Sequence, residues 1–287
     1  MKFSNRFFLF PVLLFLQFYP AAASDRDTIS DWLSTGAALA DNLRGEGVSG
    51  DQITRELIRF YSEKQLGIAY VAGLLDEPGV ETLVVTLQGS DCVLFVEHAV
   101  AMAMTTMQGT ARYDAFEGNL ALFRYGDGVI DGYASRLHYF SDWLQTNADS
   151  GRIELLFQRD DLPVLQQVHF MSDNREAYWQ LAENDSLYAL MIERETELNR
   201  GNTLRYIPQD RIPEFESQMQ TGDILSFVTT IGGLDISHTA IVNREGNRAG
   251  FWHASTTGSV KKDEKTIYEY TRDRGNVKGI ILARPQF

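Results

Sequence analysis

The chain changes character along its length, and this change constrains its fold more than any other feature. The first two-thirds has the apolar spacing of helices, beginning with two predicted helices over 26–63. The last third consists of short apolar runs separated by turn residues. These runs are GDILSFVTT, SHTAIVNRE, AGFWHAS and VKGIILARP. Helices followed by an antiparallel sheet predict an α+β fold, and ETLVVTLQGS over 81–90 predicts one further strand.

The first 23 residues have the sequence of a secretory signal peptide. Lys2 and Arg6 precede an apolar run over 7–18, and Pro20 and three alanines follow it. The run is too short to span a bilayer comfortably. We therefore predict a signal peptide over 1–23, a mature chain that begins at Ser24, and no stable membrane insertion after cleavage. A short, uncleaved membrane anchor is the alternative.

The composition excludes several classes of partner. The chain has 39 acidic and 26 basic residues, which gives a formal net charge of −13. Nucleic acids and anionic membranes both attract basic surfaces, so we expect neither as a partner. No phosphate-binding loop is present, and no histidine pair has the spacing of a zinc site. We therefore expect neither a cofactor nor a metal, and the sequence does not determine the oligomeric state.

Cys92 is the only cysteine in the chain, and it stands at a predicted helix start. Gly-Ser-Asp precedes it, and an apolar, helix-periodic run continues to about Met107. The positive end of a helix dipole favours thiolate over thiol. Far downstream, His238 and His253 lie on predicted strands joined by a hairpin. A thiol and two imidazoles are the groups of a cysteine hydrolase, whereas a buried cysteine and core histidines are the structural alternative.

These residues carry a family resemblance. The motifs DC at 91–92, GD at 222–223, SH at 237–238 and HAS at 253–255 resemble those of the NlpC-type cysteine hydrolases of bacterial cell walls. A longer set of motifs, from about residue 30 to the end, resembles the N-acetylmuramoyl-L-alanine amidase-like family. These motifs are SDCVLFVEHAVAMA, SRLHYFSDW, HFMSDN, RYIP, GDILSFVTT, GLDISH and HAS.

The resemblance implies a papain-like NlpC-type core in a single domain over 24–287, with a helical insertion around 110–215. It implies hydrolysis of the amide between N-acetylmuramic acid and L-alanine, in peptidoglycan or its muropeptide fragments. Cys92 would form a thioester, His238 would act as base and then acid, and His253 would orient His238. No metal is required. Export would deliver the protein to the periplasm or to the cell exterior.

Two other functions stay open. The broad NlpC resemblance also permits a cysteine endopeptidase that cuts within the stem peptide, next to D-glutamate. A wall-binding module that kept the fold without the chemistry is the second alternative, and the presence of all three catalytic residue types argues against it.

The segment SRLHYFSDW contains further candidate site residues. Arg136 could pair with a substrate carboxylate, and the neighbouring His138 and Tyr139 could contact the substrate, Tyr139 by stacking on a sugar. Asp91 could face the substrate or could only cap the cysteine helix. For the segment the alternative is a buried polar network that holds a helix against the sheet.

Overall fold

The computed structural model describes residues 24–76 and 80–287, so the predicted signal peptide over 1–23 lies outside the described residues. Within these ranges no helix is both long and apolar enough to cross a membrane. The α-helices are α1 (Asp25–Gly45), α2 (Gly50–Lys64), α3 (Cys92–Met107), α4 (Tyr113–Tyr125), α5 (Phe140–Asp149), α6 (Phe170–Asp173), α7 (Trp179–Ala182), α8 (Asp185–Gly201), α9 (Ile212–Phe215) and α10 (Ile267–Arg272). The β-strands are β1 (Ile153–Leu155), β2 (Ile207–Pro208), β3 (Ile224–Thr229), β4 (Ile236–Glu245), β5 (Arg248–Ala254), β6 (Val260–Lys262) and β7 (Val277–Pro285).

Helix α3 begins at Cys92 and is buried on nearly every side. Every residue from Leu94 to Ala103 is buried. Helices α1, α2 and α4 pack around α3, and strands β4 and β5 lie against it. A helix that is apolar all round needs such partners on every side, and the alanines at 99, 101 and 103 let them approach closely. The predicted helix from Cys92 to about Met107 is thus present.

The strands form an antiparallel sheet in the order β1-β7-β3-β4-β5-β6, and β2 pairs with β7. The central strand β3 is buried along its whole length. Ile224 and Val228 belong to the same apolar core as α3, whereas Leu225 and Phe227 belong to a second core with Tyr270 of α10. Both faces of the sheet are therefore covered, and the α+β class predicted from the sequence is confirmed.

The helices within 110–215, the segment predicted as an insertion, join three different cores, and α9 belongs to the core that contains Leu225 and Phe227. Phe116 and Phe123 of α4 and Trp143 of α5 contribute to the core around α3. Helices α6 to α8 lie over a smaller cluster of their own, which includes Met171, Leu181 and Met191. This smaller cluster stands beside the entrance to α5, where SRLHYFSDW is located.

The strand predicted over 81–90 is wrong, because this segment is irregular apart from an isolated bridge at Ser90. Its backbone groups bond to side chains of the helices instead of to another strand. The carbonyl of Val84 accepts from Arg124 Nη1 at 2.7 Å, and the amide of Leu87 donates to Asp25 Oδ2 at 3.0 Å. The segment 81–90 is thus anchored to the helices by side-chain hydrogen bonds, without the backbone hydrogen bonds of a β-sheet.

Candidate active site

Asp91 caps the helix that begins at Cys92. Its Oδ1 accepts hydrogen bonds from the amides of Val93 at 3.0 Å and Leu94 at 2.8 Å. Such a cap satisfies amides that a helix start otherwise leaves free. Thr239 of β4 also donates from its Oγ1 to the carbonyl of Cys92 at 2.8 Å. Cys92, a half-buried residue, is therefore fixed at the helix start and tied to the sheet.

The chain that enters this helix is held by a neighbouring extended segment. Ser90 donates its amide to the carbonyl of Ala69 at 2.9 Å and accepts from the amide of Val71 at 3.0 Å. Gly89 permits this close approach, since a Cβ there would lie 2.6 Å from a methyl carbon of Val71. The glycine before the Ser-Asp-Cys motif is thus required by packing.

The two predicted histidines form a hydrogen-bonded pair across β4 and β5. His238 Nε2 lies 2.7 Å from His253 Nδ1. His253 is 2% exposed, and its Nε2 lies 3.2 Å from Asp263 Oδ2, in an orientation outside that of a hydrogen bond. The His238 ring stacks on Phe227, and the His253 ring meets Tyr270 edge to face. Aromatic packing thus fixes both ring planes.

The electrostatics of the site favour neutral groups at pH 7. Burial raises the pKa of Cys92 to about 11, and the neighbouring carboxylate of Asp91 adds to the rise. Burial also lowers the pKa of His238 to about 3 and that of His253 to about 4. Burial and the Asp91 carboxylate thus act against the thiolate that the helix start was predicted to favour.

A cavity of about 240 Å³ opens in front of Cys92 and His238, and we call it the Cys92 cavity. Its wall contains all four residues that the sequence suggested as substrate contacts, namely Asp91, Arg136, His138 and Tyr139. His253 does not line this cavity and lies behind His238. The structure thus brings the predicted residues to one place, although most of them are already engaged by other groups.

Arg136 is 8% exposed and has acidic neighbours within the protein. Its Nη2 donates to Asp76 Oδ1 at 2.8 Å, and its Nε lies 3.2 Å from Glu81 Oε1. Its guanidinium also lies over the ring of Tyr133, 5.1 Å from the centroid. In this conformation Arg136 therefore belongs to a polar network, which is the alternative considered for this segment.

His138 and Tyr139 are also engaged. His138 Nε2 lies 2.7 Å from the carbonyl of Tyr133, and burial lowers its pKa to about 3. The hydroxyl of Tyr139 donates to Glu195 Oε1 at 2.7 Å and accepts from the amide of Met171 at 2.8 Å. Tyr139 is 3% exposed, so its ring cannot stack on a sugar in this conformation.

A buried ion pair joins the cysteine helix α3 to α4. Arg124 Nε donates to Glu97 Oε2 at 2.7 Å, and both side chains are 1% exposed. Trp143 Nε1 donates to the other carboxylate oxygen of Glu97 at 3.1 Å. Helices α3, α4 and α5 are thereby joined at the base of the Cys92 cavity.

Two residues near the reacting groups were not identified from the sequence. Asp263 is the carboxylate beside His253, and it follows a short strand that leaves no periodic signal. Tyr70 lies close to the thiol: burial raises its pKa, and the charges of Cys92 and Asp91 raise it further. Both residues reach the site through loops, so spacing along the chain could not have indicated them.

Similar proteins support one family. The N-acetylmuramoyl-L-alanine amidase-like family model, AmiA-like, matches residues 60–279. An N-acetylmuramoyl-L-alanine amidase from Bacteroides uniformis has a similar structure at 29% identity and a TM-score of 0.77, over 82% of this chain and 99% of that one. No curated protein has a significant match to the chain.

Two further structures are similar. A protein from Bacteroides fragilis, provisionally named a xylanase, is 31% identical with a TM-score of 0.72, over 78% of this chain and 98% of that one. A Legionella pneumophila protein at 20% identity and a TM-score of 0.63 shares the fold, over 88% of this chain and 94% of that one. Since the family match spans most of the chain, the protein belongs to the N-acetylmuramoyl-L-alanine amidase-like family.

Proposed function

We propose that this protein is a cysteine amidase that cleaves the bond between N-acetylmuramic acid and L-alanine in peptidoglycan or its fragments. The observation that carries the proposal is the common cavity of Cys92 and His238, with His253 bonded behind His238. The family match supports a peptidoglycan-related substrate. The amidase from Bacteroides uniformis supports the choice of bond.

The histidine pair defines which nitrogen can receive the proton of the thiol. His238 Nε2 is bonded to His253 Nδ1, so Nδ1 of His238 is left for Cys92. For Nδ1 to act as a base, the proton of His238 must be on Nε2 and be donated to His253. His253 then carries its own proton on Nε2, which faces Asp263. Asp263 thus favours the tautomer that the reaction needs.

The reaction proceeds in two steps. The sulfur of Cys92 attacks the lactyl carbonyl carbon while its proton passes to His238. The C–N bond then breaks, and His238 returns the proton to the amine of L-alanine. Water, deprotonated by His238, attacks the thioester, which releases the free carboxylate of muramic acid and restores the thiol.

The lowered pKa of His238 and the raised pKa of Cys92 determine when the thiol proton is transferred relative to the attack of the sulfur. The raised pKa of the thiol and the lowered pKa of the imidazole both disfavour a thiolate–imidazolium pair before the substrate arrives. The proton must therefore move as the sulfur attacks, and the imidazolium gains its stabilisation from His253 and the charge of Asp263 at that moment.

Two donors are candidates for the developing oxyanion. Asp91 occupies the amides of Val93 and Leu94, which leaves the amide of Cys92 for the substrate. Tyr70 is the second candidate, because it is bridged to Ser90, two residues before Cys92.

The carboxylates of the Cys92 cavity do not favour glycoside cleavage, the activity suggested by the name of the Bacteroides fragilis relative. A glycosidase generally needs two carboxyl groups free to act as acid and as base or nucleophile. Here Asp91 accepts from two amides, both oxygens of Glu97 are bonded, and Asp76 accepts from Arg136. Asp235 accepts from the amides of Ser141 and Ile236. The cysteine is therefore the better candidate nucleophile.

The proposal includes the remaining expectations from the sequence. Residues 24–287 would form one papain-like domain of the NlpC type, and export through a signal peptide over 1–23 would bring it to the periplasm or the cell exterior. Peptidoglycan lies outside the cytoplasm, which supports this location.

The test is product analysis by mass spectrometry. Residues 24–287 would be incubated with a defined disaccharide-peptide fragment of peptidoglycan, beside Cys92→Ala and His238→Ala. We expect a free disaccharide and an intact stem peptide that begins with L-alanine. His169→Ala is the matched control, because this histidine is half-exposed and lies outside the cavity wall.

Each other outcome has a distinct meaning. A cut within the stem peptide would make the protein an endopeptidase. Full activity of Cys92→Ala would exclude the thiol as nucleophile. The absence of any product, from this fragment and from whole sacculi, would favour a wall-binding module.

A further inference from the structure

His238 separates two cavities. On the side away from Cys92 lies a second cavity of about 220 Å³, which shares Ser237 and His238 with the Cys92 cavity. Its wall is formed by the turn after β5, by Lys261 of β6 and the neighbouring Asp263, and by Arg274 and Asn276 beyond α10. We call it the Arg274 pocket. Apart from His238 and Asp263, no residue of its wall has a role in the reaction described above.

Arg274 is held in a fixed orientation without an acidic partner. Its guanidinium lies 3.4 Å from the centroid of the Tyr270 ring, and its Nη1 donates to the carbonyl of Tyr270 at 3.4 Å. Over residues 24–76 and 80–287, Arg274 forms no ion pair. Lys261, in contrast, lies 3.6 Å from Asp263. The pocket thus offers an oriented, positively charged donor that is free to bind a carboxylate.

The charge of Arg274 reaches the histidine pair. Burial is the main cause of the lowered pKa of His238, and the positive charge of Arg274 lowers it further. The same holds for His253, where burial is again the largest cause. A group that binds to Arg274 therefore lies close enough to act on the base of the reaction.

The direction of the reaction indicates which product occupies this pocket. His238 returns its proton to the amine of L-alanine, so the stem peptide must begin beside His238. The muramic acid of the substrate carries no free carboxylate, because its lactyl carboxyl is in the scissile amide. The stem peptide carries one on D-glutamate, within roughly two residue lengths, or about 7 Å, of the amine.

We propose that the Arg274 pocket binds the stem peptide, and that Arg274 pairs with the α-carboxylate of its D-glutamate. This assignment rests on the proposed amidase function and adds a specificity-determining residue to it. The uncharged sugar then lies in the Cys92 cavity, whose wall contains Tyr133 and Tyr178. A bound carboxylate also offsets the charge of Arg274, which makes His238 a stronger base in the complex than in the free enzyme.

The experiment compares two synthetic substrates that differ by one charge. One is N-acetylmuramoyl-L-alanyl-γ-D-glutamyl-L-lysinamide, and the other has the α-carboxylate of D-glutamate replaced by a carboxamide. We expect the wild-type enzyme to prefer the carboxylate by about 10- to 100-fold in kcat/KM, the range of a charged hydrogen bond. Arg274→Gln should lose this preference.

Matched variants separate binding from folding. Arg272→Gln, at an exposed arginine on the same stretch of chain, should keep the full preference. Arg274→Lys keeps the charge and should retain part of it. With the amidated substrate, Arg274→Gln should also move the acid limb of kcat/KM to higher pH, because a positive charge no longer opposes protonation of His238. Retention of the full preference by Arg274→Gln would overturn the proposal.

A binding measurement makes the pocket testable even if the bond assignment fails. If wild type cleaves neither substrate, Cys92→Ala would be titrated calorimetrically with L-alanyl-γ-D-glutamyl-L-lysinamide and with its carboxamide counterpart. Tighter binding of the carboxylate that is lost in Arg274→Gln/Cys92→Ala would support the pocket and leave only the reaction in doubt. Equal dissociation constants for the two peptides would overturn the assignment of Arg274.

Discussion

The buried pair between Glu97 and Arg124 allows a quantitative prediction about stability. Arg124→Met would leave the Glu97 carboxylate in the interior with only Trp143 Nε1 as a donor. Removing one partner of a fully buried pair typically costs about 3–5 kcal/mol, because the remaining charge is uncompensated. Both side chains are 1% exposed, so this range applies without a discount for solvent. At about 2–4 °C per kcal/mol, Tm should fall by roughly 6–20 °C.

A second variant tests the cause. Glu97→Gln/Arg124→Met removes both charges but keeps an acceptor for Trp143, so we expect it to recover at least about 2 kcal/mol of the loss. The free energy of unfolding would be measured by urea denaturation for wild type, both single variants and the double variant. A double variant no more stable than Arg124→Met would refute the charge explanation.

The pH dependence provides an independent check. Burial raises the pKa of Glu97, and Arg124 opposes this rise, so Arg124→Met must raise the pKa further. An acid with a higher pKa in the folded than in the unfolded protein destabilises the fold when it is ionised. The penalty of Arg124→Met is therefore complete at high pH and shrinks as the pH falls. Equal losses at pH 8 and pH 5, or a loss below about 1 kcal/mol at pH 8, would contradict the reasoning.

Three further results are expected. Because the pKa values of His238 and His253 are about 3 and 4, both imidazoles should stay unprotonated above pH 5, and kcat/KM should not fall there from protonation of the base. A fall in kcat/KM centred near pH 6.5 would contradict this. Asp263→Asn should lower kcat, with little change in KM, because His253 loses the group that favours its tautomer; an unchanged kcat would remove Asp263 from the site. N-terminal sequencing of the exported protein should begin at Ser24, whereas a start at Met1 would indicate an uncleaved anchor.

Much of the helical layer could be predicted because its signals are local. The Gly-Ser-Asp-Cys stretch contains the capping residue Asp91. Together with the apolar run that follows, it correctly predicts that α3 begins at Cys92. The strands that carry His238 and His253 are long enough for alternation to show. The segment over 81–90 has the same β-prone composition, but its hydrogen bonds go to Arg124 and Asp25, which are distant in sequence. The local sequence of this segment does not indicate hydrogen-bond partners that lie so far away along the chain.

The candidate site could be predicted where a rare residue type marked it. A single cysteine and a few histidines are conspicuous, whereas Asp263, Tyr70 and Arg274 are common types on loops and helix ends. Their importance depends on distances to His253, Cys92 and His238 that only the fold creates. The thiol pKa was missed for the same reason, since the helix dipole is visible in the sequence and the depth of burial is not.

The position of β7 affects how a nascent chain can fold. Among the described residues this strand is the last element, yet it lies inside the sheet, paired with β1, β2 and β3. Until residue 285 has left the ribosome, β3 exposes an unpaired edge and β1 and β2 have no partner. Such non-local pairing slows folding and delays it until β7 has been synthesised. A chaperone that covers this edge would therefore affect the yield of folded protein more than one that acts on the helices.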